Sequence, residues 1–182
     1  MTTNLINIIR HTVKSYLNEN VNFTTQNSST AFNYKQWKRK NVTIRGMKEI
    51  GKENDASAML GQGLYSAALS NKDLAKQYGD VYFVVNGKPK NPKKFNTLND
   101  YEIWFYNNLV MQFSKEQGKD FPDVRDFNKK TTIDKELQKL GYDGIEIKGR
   151  EMVNYNPKDV MYFKTERELE NWAYESYRLG ML

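Results

Sequence analysis

The chain has 182 residues, a formal net charge of +6, one histidine and no cysteine. That length suits one domain with its own core, or one domain plus a small appendage. The missing cysteine excludes disulfides and cysteine-ligated zinc, and leaves His11 as the sole histidine for Ser-His or Cys-His catalysis.

No run approaches the roughly 20 apolar residues needed to cross a bilayer. The start of the chain lacks the basic, apolar and small-residue blocks of a signal peptide, so a cytoplasmic protein without a membrane partner is expected. A pI of about 9.3 suits a polyanionic partner. Much of the excess charge lies in two clusters, Lys35 to Lys40 and Lys88 to Lys94, and a solvated loop explains either cluster as well as a phosphate contact does.

In chain order, Thr3 to Glu19 reads as an amphipathic helix with Leu5, Ile8, Ile9, Val13, Tyr16 and Leu17 on one stripe. His11 falls in it, where a surface role is the default. The Asn- and Thr-rich run from Asn20 to Asn33 has no period and reads as a linker. Residues 1–34 are therefore an appendage and residues 35–182 the main domain. Val42-Thr43-Ile44-Arg45-Gly46 is the first strand, with Val42 and Ile44 facing one way and Thr43 and Arg45 the other.

After a polar stretch from Lys48 to Ala58 comes Gly61-Gln62-Gly63-Leu64-Tyr65-Ser66. This G-x-G lacks the preceding strand, the opening helix and the third glycine of a dinucleotide fingerprint. It predicts a turn with backbone close to something flat or bulky. Ser70 to Tyr78 reads as a short helix, with Ser70 and Asp73 as a capping box and Gly79 as its stop. Val81 to Val85 is an apolar strand and Gly87 to Asn96 a basic loop. Leu98 to Gln117 is the longest helix, opened by Thr97 and Asp100, and apolar nearly all round, which predicts burial. Thr131 to Leu140 is a further capped helix stopped by Gly141.

Tyr142 to Pro157 reads as turn, strand, turn and strand. Ile145 and Ile147 alternate with Glu146 and Lys148. In the second strand Glu151 shares a face with Val153 and Tyr155. A carboxylate on an apolar face is uncommon unless paired or used. The plainer alternative is that Gly149 resets the register and Glu151 begins an exposed strand. Val160 to Phe163 is a last strand. Thr165 and Glu168 form a capping box before a C-terminal helix with Leu169, Trp172 and Ala173 inward. The order of elements predicts an α+β fold of short, mostly antiparallel strands.

The chain has no P-loop, nucleophile elbow or metal-ligand spacing, and no metal site is expected. What remains is an ordered triple of Arg45, Tyr65 and Glu151. With their flanking text these residues resemble the ADP-ribosyltransferase superfamily, most closely the ADP-ribosyltransferase-like domains of phage polyvalent proteins. Ile44-Arg45-Gly46 is similar to the strand ending in Arg-Gly. Gly61-Gln62-Gly63-Leu64-Tyr65-Ser66, with Ala75-Lys76-Gln77-Tyr78-Gly79 after it, resembles the G-x-G-hydrophobic-Tyr block and the helix ending A-x-x-Y-G. Leu140 to Ile145, then Glu151 to Val160, resemble the closing G-Y-D-G-I and E-x-V-x-F-N-P-x-x-I. The similarity covers roughly Val42 to Phe163.

The resemblance implies two small packed sheets with flanking helices, and NAD as the substrate. It implies that Glu151 stabilises the ribose cation as nicotinamide leaves, and that Tyr65 stacks on nicotinamide. Gly61, Gln62 and Gly63 would bring backbone to the carboxamide, and Arg45, beside Gly46, would hold phosphates or ribose. The serine-containing strand motif of arginine-specific members is absent unless Ser66 stands in for it, and Tyr78 and Tyr155 would either line the pocket or belong to the core. Gly149 occupies the place of the family's acidic or amide partner two residues before the glutamate, which leaves the acceptor open between protein and nucleic acid. A catalytically degenerate binding module, and a nucleic-acid-binding module using the basic clusters, are the competing readings. The sequence leaves the oligomeric state open.

Overall fold

The computed structural model describes residues 34–49 and 59–181. The expected N-terminal helix with His11, the linker to Asn33 and residues 50–58 of the polar stretch lie outside the described residues. Among the described residues seven strands are formed: β1 (Val42–Met47), β2 (Leu64–Ala68), β3 (Asp80–Val85), β4 (Pro92–Phe95), β5 (Gly144–Ile147), β6 (Glu151–Asn154) and β7 (Met161–Phe163). They are joined by α1 (Tyr34–Asn41), α2 (Lys72–Lys76), α3 (Leu98–Phe105), α4 (Met111–Glu116), α5 (Val124–Lys130), α6 (Ile133–Lys139) and α7 (Glu166–Arg178). The fold is α+β, as the order of elements predicts.

The strands make one mixed sheet in the order β4-β5-β6-β2-β1-β3-β7, not two small packed sheets. The correction has a simple cause. β2 pairs on both sides, with β6 along Leu64 to Ala67 and with β1 through Thr43–Ala68 and Ile44–Ala67. All pairings are antiparallel except β4 with β5, which run parallel. β2 was unforeseen, because the Gly61 to Ser66 block reads as a turn. Its Leu64, Ser66 and Ala67 are buried, so it shows no alternation of apolar and polar residues. β4 was also unforeseen and lies inside the predicted basic loop. Pro92-Lys93-Lys94-Phe95 has no strand pattern and is extended through its pairing with Gly144 to Ile147.

The register places Tyr65, Ala67, Ile44 and Val42 along one face of the sheet. Two apolar clusters cover that face. Toward β5, Ile145, Ile147 and Val153 pack with Tyr101, Leu109, Val110, Phe127 and Leu137 from the helices. Toward β3, Val42, Val85 and Phe83 pack with Leu169 and Trp172 of α7. The capping boxes at Thr97/Asp100 and Thr165/Glu168 are both made, each with side chain and backbone bonded reciprocally.

Other local expectations are corrected. No side-chain cap forms at Ser70 or Asp73, because the chain enters α2 through a 3-10 turn at Leu69–Asn71. The predicted long helix is α3 and α4 joined by a π-helical segment, Tyr106–Val110, and only one side of it faces the core. Tyr101, Leu109 and Val110 are buried while Ile103 is 53% and Tyr106 42% exposed, so its apolar surface exceeds what the single sheet face can cover. α5, capped by the Asp123 side chain on Arg125 N, was not foreseen. α6 begins at Ile133, and the Thr131 hydroxyl donates to Glu136 Oε1 at 2.5 Å instead of capping.

The approach to β2 is held by three phenols. Tyr101 donates to Met59 O (2.7 Å), Tyr155 to Leu60 O (2.7 Å) and Tyr65 to Gly61 O (2.8 Å). The Tyr65 oxygen also accepts from Leu60 N–H at 3.1 Å. Three consecutive carbonyls are thus satisfied by side chains in a turn that has no ladder of its own. Gly61 turns there with φ +92°, where a Cβ would meet Ile133 Cγ2 at 2.6 Å. Removing one hydroxyl should therefore leave a carbonyl without its donor. Tyr101→Phe and Tyr155→Phe are each expected to cost about 1–3 kcal/mol in urea unfolding. Burial pushes all three phenols above their usual pKa. Their contribution should be complete below the unfolded value of about 10 and fall as pH rises above it. Alkaline titration followed by tyrosinate absorbance and circular dichroism should show ionisation and loss of structure together. Early ionisation of these phenols in a folded chain would contradict the assignment.

Candidate functional site

β1 and β2 pair through two residues each, whereas β3 pairs along all of β1. Past Ile44 the two strands part. A cavity of about 780 Å³ opens beside this parting, bounded by Ile44 to Glu49, the Met59–Leu60 turn, Tyr65 to Ala67, α2 with its C-terminal residues, and Arg150–Glu151. The volume lies within the ~300–1,000 Å³ of ligand sites.

Arg45 bridges the parted strands. Its Nη1 donates to Tyr65 O at 2.7 Å, which fixes the guanidinium at the cavity wall. Ser66, the next residue of β2, has its Oγ buried without a hydrogen-bond partner at the same wall. Tyr65 is half-buried, with its ring against the larger core cluster and its hydroxyl tied into the 59–61 turn. Its ring is thereby fixed with one part on the cavity.

Glu151 is the first residue of β6 and lies opposite Ala67. Its side chain is 15% exposed, and Arg150 Nε sits 3.3 Å from Oε1. The alternation therefore holds: Glu151 shares a face with Val153 and, across the register, with Ala67 and Tyr65. It does not begin an exposed strand. Asn71 sets the approach to this residue. Its Nδ2 donates to Gly149 O at 3.2 Å and to Arg150 O at 3.3 Å, clamping the turn between β5 and β6.

Gly46 explains how α2 reaches the cavity. A Cβ there would lie 1.7 Å from Ala75 O and 3.3 Å from Tyr78 Cβ. Only glycine lets the end of α2 close on β1 and bring the 56%-exposed Tyr78 to the rim.

Six of the residues predicted for the site, Arg45, Gly46, Tyr65, Ser66, Tyr78 and Glu151, thus line one cavity although they are spread over a hundred positions of sequence. Gly61, Gln62 and Gly63 do not line it. Gly61 packs on the start of α6, Gln62 N–H donates to Asp134 Oδ1 at 3.1 Å, and Gly63 packs on the Asn154 carbonyl. Their visible work is to shape the turn that presents Tyr65. Tyr155 lies in the core with its hydroxyl on Leu60 O. The sequence reading missed Arg150, Met47, Met59 and Leu74. Arg150 alone left a signal, as a charged residue adjoining the glutamate.

The basic clusters are largely engaged. Lys88 Nζ donates to Lys40 O, Lys93 Nζ lies 5.1 Å and 5.2 Å from the ring centroids of Trp104 and Tyr142, and Lys94 pairs with Glu146 at 3.7 Å. Among the described residues no group of three or more His, Asp or Glu side chains is placed to hold a metal, and no helix is long and apolar enough to cross a membrane.

The close packing at Gly46 makes a sharp prediction. Gly46→Ala must push α2 off β1, at a cost of about 3 kcal/mol, the upper end for overpacking. Urea unfolding should register the loss, and a cost below about 0.5 kcal/mol, the usual range for exposed sites, would show that α2 is not held against β1.

Comparison with protein-family models, with curated proteins and with solved structures finds no match to the chain.

Proposed function

We propose that this chain transfers ADP-ribose from NAD to a macromolecular acceptor, releasing nicotinamide. The observation that carries the reading is the convergence of Arg45, Tyr65 and Glu151 on one cavity of about 780 Å³. A dinucleotide needs a large cleft with an aromatic surface, a cation for its phosphates and a carboxylate for its reacting sugar, and the residues present supply each of these.

In the proposed reaction the bond between the ribose C1′ and the nicotinamide nitrogen breaks, and its electron pair leaves with nicotinamide. Positive charge builds on the ribose, as in glycoside cleavage. The Glu151 carboxylate stabilises that charge and holds a ribose hydroxyl. Tyr65, fixed by its hydroxyl, stacks on the cationic nicotinamide ring before it departs. Arg45 offers a planar set of donors to the phosphates. The acceptor's nucleophile forms the new bond to C1′ and gives up its proton. Gly149 adds no side chain two positions before Glu151, so the acceptor stays open between protein and nucleic acid. The resemblance of the motifs to phage polyvalent proteins points to a phage-encoded enzyme acting on host components in the host cytoplasm.

The 3.3 Å ion pair of Arg150 with Glu151 favours a second reading, a binding module in which the carboxylate is held as a structural partner. One experiment separates the two. Calorimetry with NAD and release of labelled nicotinamide are measured for wild type and Glu151→Gln. The transferase reading expects NAD binding in both and a fall in release of about 10²-fold or more in the variant. Equal release would remove Glu151 from the mechanism. Absence of NAD binding by the wild type would leave the binding module.

A further inference from the structure

We infer that Asn71 is a positioning residue for Glu151, and that through it the glutamate and α2 are held as one unit. The inference rests on the transferase reading, which gives Glu151 its task. Asn71 does not itself line the large cavity, so it acts only through the turn it holds.

The need for such a residue lies in the strand pairing. The register of β5 with β6 ends at Glu146–Met152. Glu151, one residue beyond, keeps a strand partner on one side only, Ala67 of β2. The turn leading to it is bonded through its amides, since Lys148 N–H donates to Phe95 O at 2.9 Å and Arg150 N–H to Ile147 O at 3.1 Å. Its tip is not packed. Gly149 turns with φ +69°, and a Cβ there would meet nothing beyond its chain neighbours within 4 Å. Hydrogen bonds, not apolar contacts, therefore set where the backbone enters β6.

Asn71 holds the carbonyl side of that turn. It stands at the N-cap of α2, where an asparagine side chain ordinarily accepts from its own helix, yet it makes no cap bond. The two hydrogens of its Nδ2 go instead to Gly149 O at 3.2 Å and Arg150 O at 3.3 Å. The peptide group joining Arg150 to Glu151 is thus fixed at its oxygen. Beyond the other end of α2, Ala75 O and Tyr78 Cβ close on Gly46, and Leu74, Ala75, Gln77 and Tyr78 wall the cavity. A helix of five residues therefore runs from the glutamate's turn to the wall shared with β1, and a tilt of α2 carries the carboxylate with it. The two bonds lie at exposed groups, so their loss moves global stability little. A displacement of about 1 Å at a reacting group, in contrast, costs on the order of 10²-fold in rate.

The test compares the full wild-type chain with Asn71→Ala, Asn71→Asp and a control at an exposed position of the same helix, Asp73→Ala. Nicotinamide release from NAD gives kcat and KM, hydrogen exchange follows the amides of Lys148 and Arg150, and urea unfolding reads stability. Asn71→Ala is expected to lower kcat about tenfold or more, with KM for NAD within about twofold of wild type. It should also speed exchange of the two amides while the unfolding midpoint stays near wild type. Asn71→Asp sets a carboxylate against two carbonyl oxygens and should be the worse of the two. Asp73→Ala should match wild type in every readout. Unchanged exchange in both Asn71 variants overturns the clamp. Faster exchange with kcat unchanged, or a loss of kcat that Asp73→Ala reproduces, overturns the positioning role. A wild type that releases no nicotinamide sinks the transferase reading and the positioning role with it, and the exchange of the Asn71 variants then decides the clamp alone.

Discussion

The structure depends on three hydroxyl groups meeting three neighbouring carbonyls. Residues 59–61 enter the sheet without strand partners, and an unsatisfied buried carbonyl is costly. Tyr101 comes from a helix, Tyr155 from the residue just after β6, and Tyr65 from β2 itself. The turn is thereby tied to both the helical layer and the sheet. Because Leu60 and Met59 also wall the large cavity, the same bonds that satisfy the turn set one side of the cleft. Tyr65 serves twice, since its hydroxyl closes the turn and its ring borders the cavity.

A second dependence runs through the short 3-10 turn at Leu69–Asn71. Asn71 clamps the turn that leads to Glu151. Leu69 and Ser70, within the same turn, wall a second, smaller cavity together with Tyr34, Val42 and Phe83. One turn of helix therefore borders one cavity and fixes the glutamate of the other. β1 makes the same kind of link, with Val42 in the smaller cavity and Ile44 in the larger. The parting of β1 from β2 after two residue pairs is what leaves room between them.

Local chemistry was legible in the sequence and distant pairing was not. Thr97 with Asp100, and Thr165 with Glu168, act within one helical turn, and both capping boxes form. Ser70 with Asp73 carries the same text and forms none, because the chain arrives through a tighter turn. Alternation at Ile145 and Ile147 survives, with Glu146 less buried between them, whereas in β6 Met152, Val153 and Asn154 are all buried and only Glu151 is less so. β2 and β4 left no periodic trace. The first is buried on both faces, and the second is extended by its partner strand. In the cavity, Arg45, Tyr65 and Glu151 lie together although they are far apart in the chain. The turn glycines Gly61 and Gly63 fall outside it, because a G-x-G records only that backbone approaches something closely. Here that something is protein: the start of α6 and the Asn154 carbonyl.

β4 has a consequence for how molecules of this chain meet one another. It ends the sheet, and a terminal strand offers unpaired backbone groups to any extended segment nearby. Pro92 has no N–H to offer, and Lys93 and Lys94 bring adjacent positive charges to a strand of four residues. Another copy of the same strand would bring like charge against like. The opposite end, β7, is only three residues long and runs directly into Lys164. The sheet therefore carries at both margins features that oppose edge-to-edge aggregation, and two lysines of the Lys88 to Lys94 cluster belong to one of those margins.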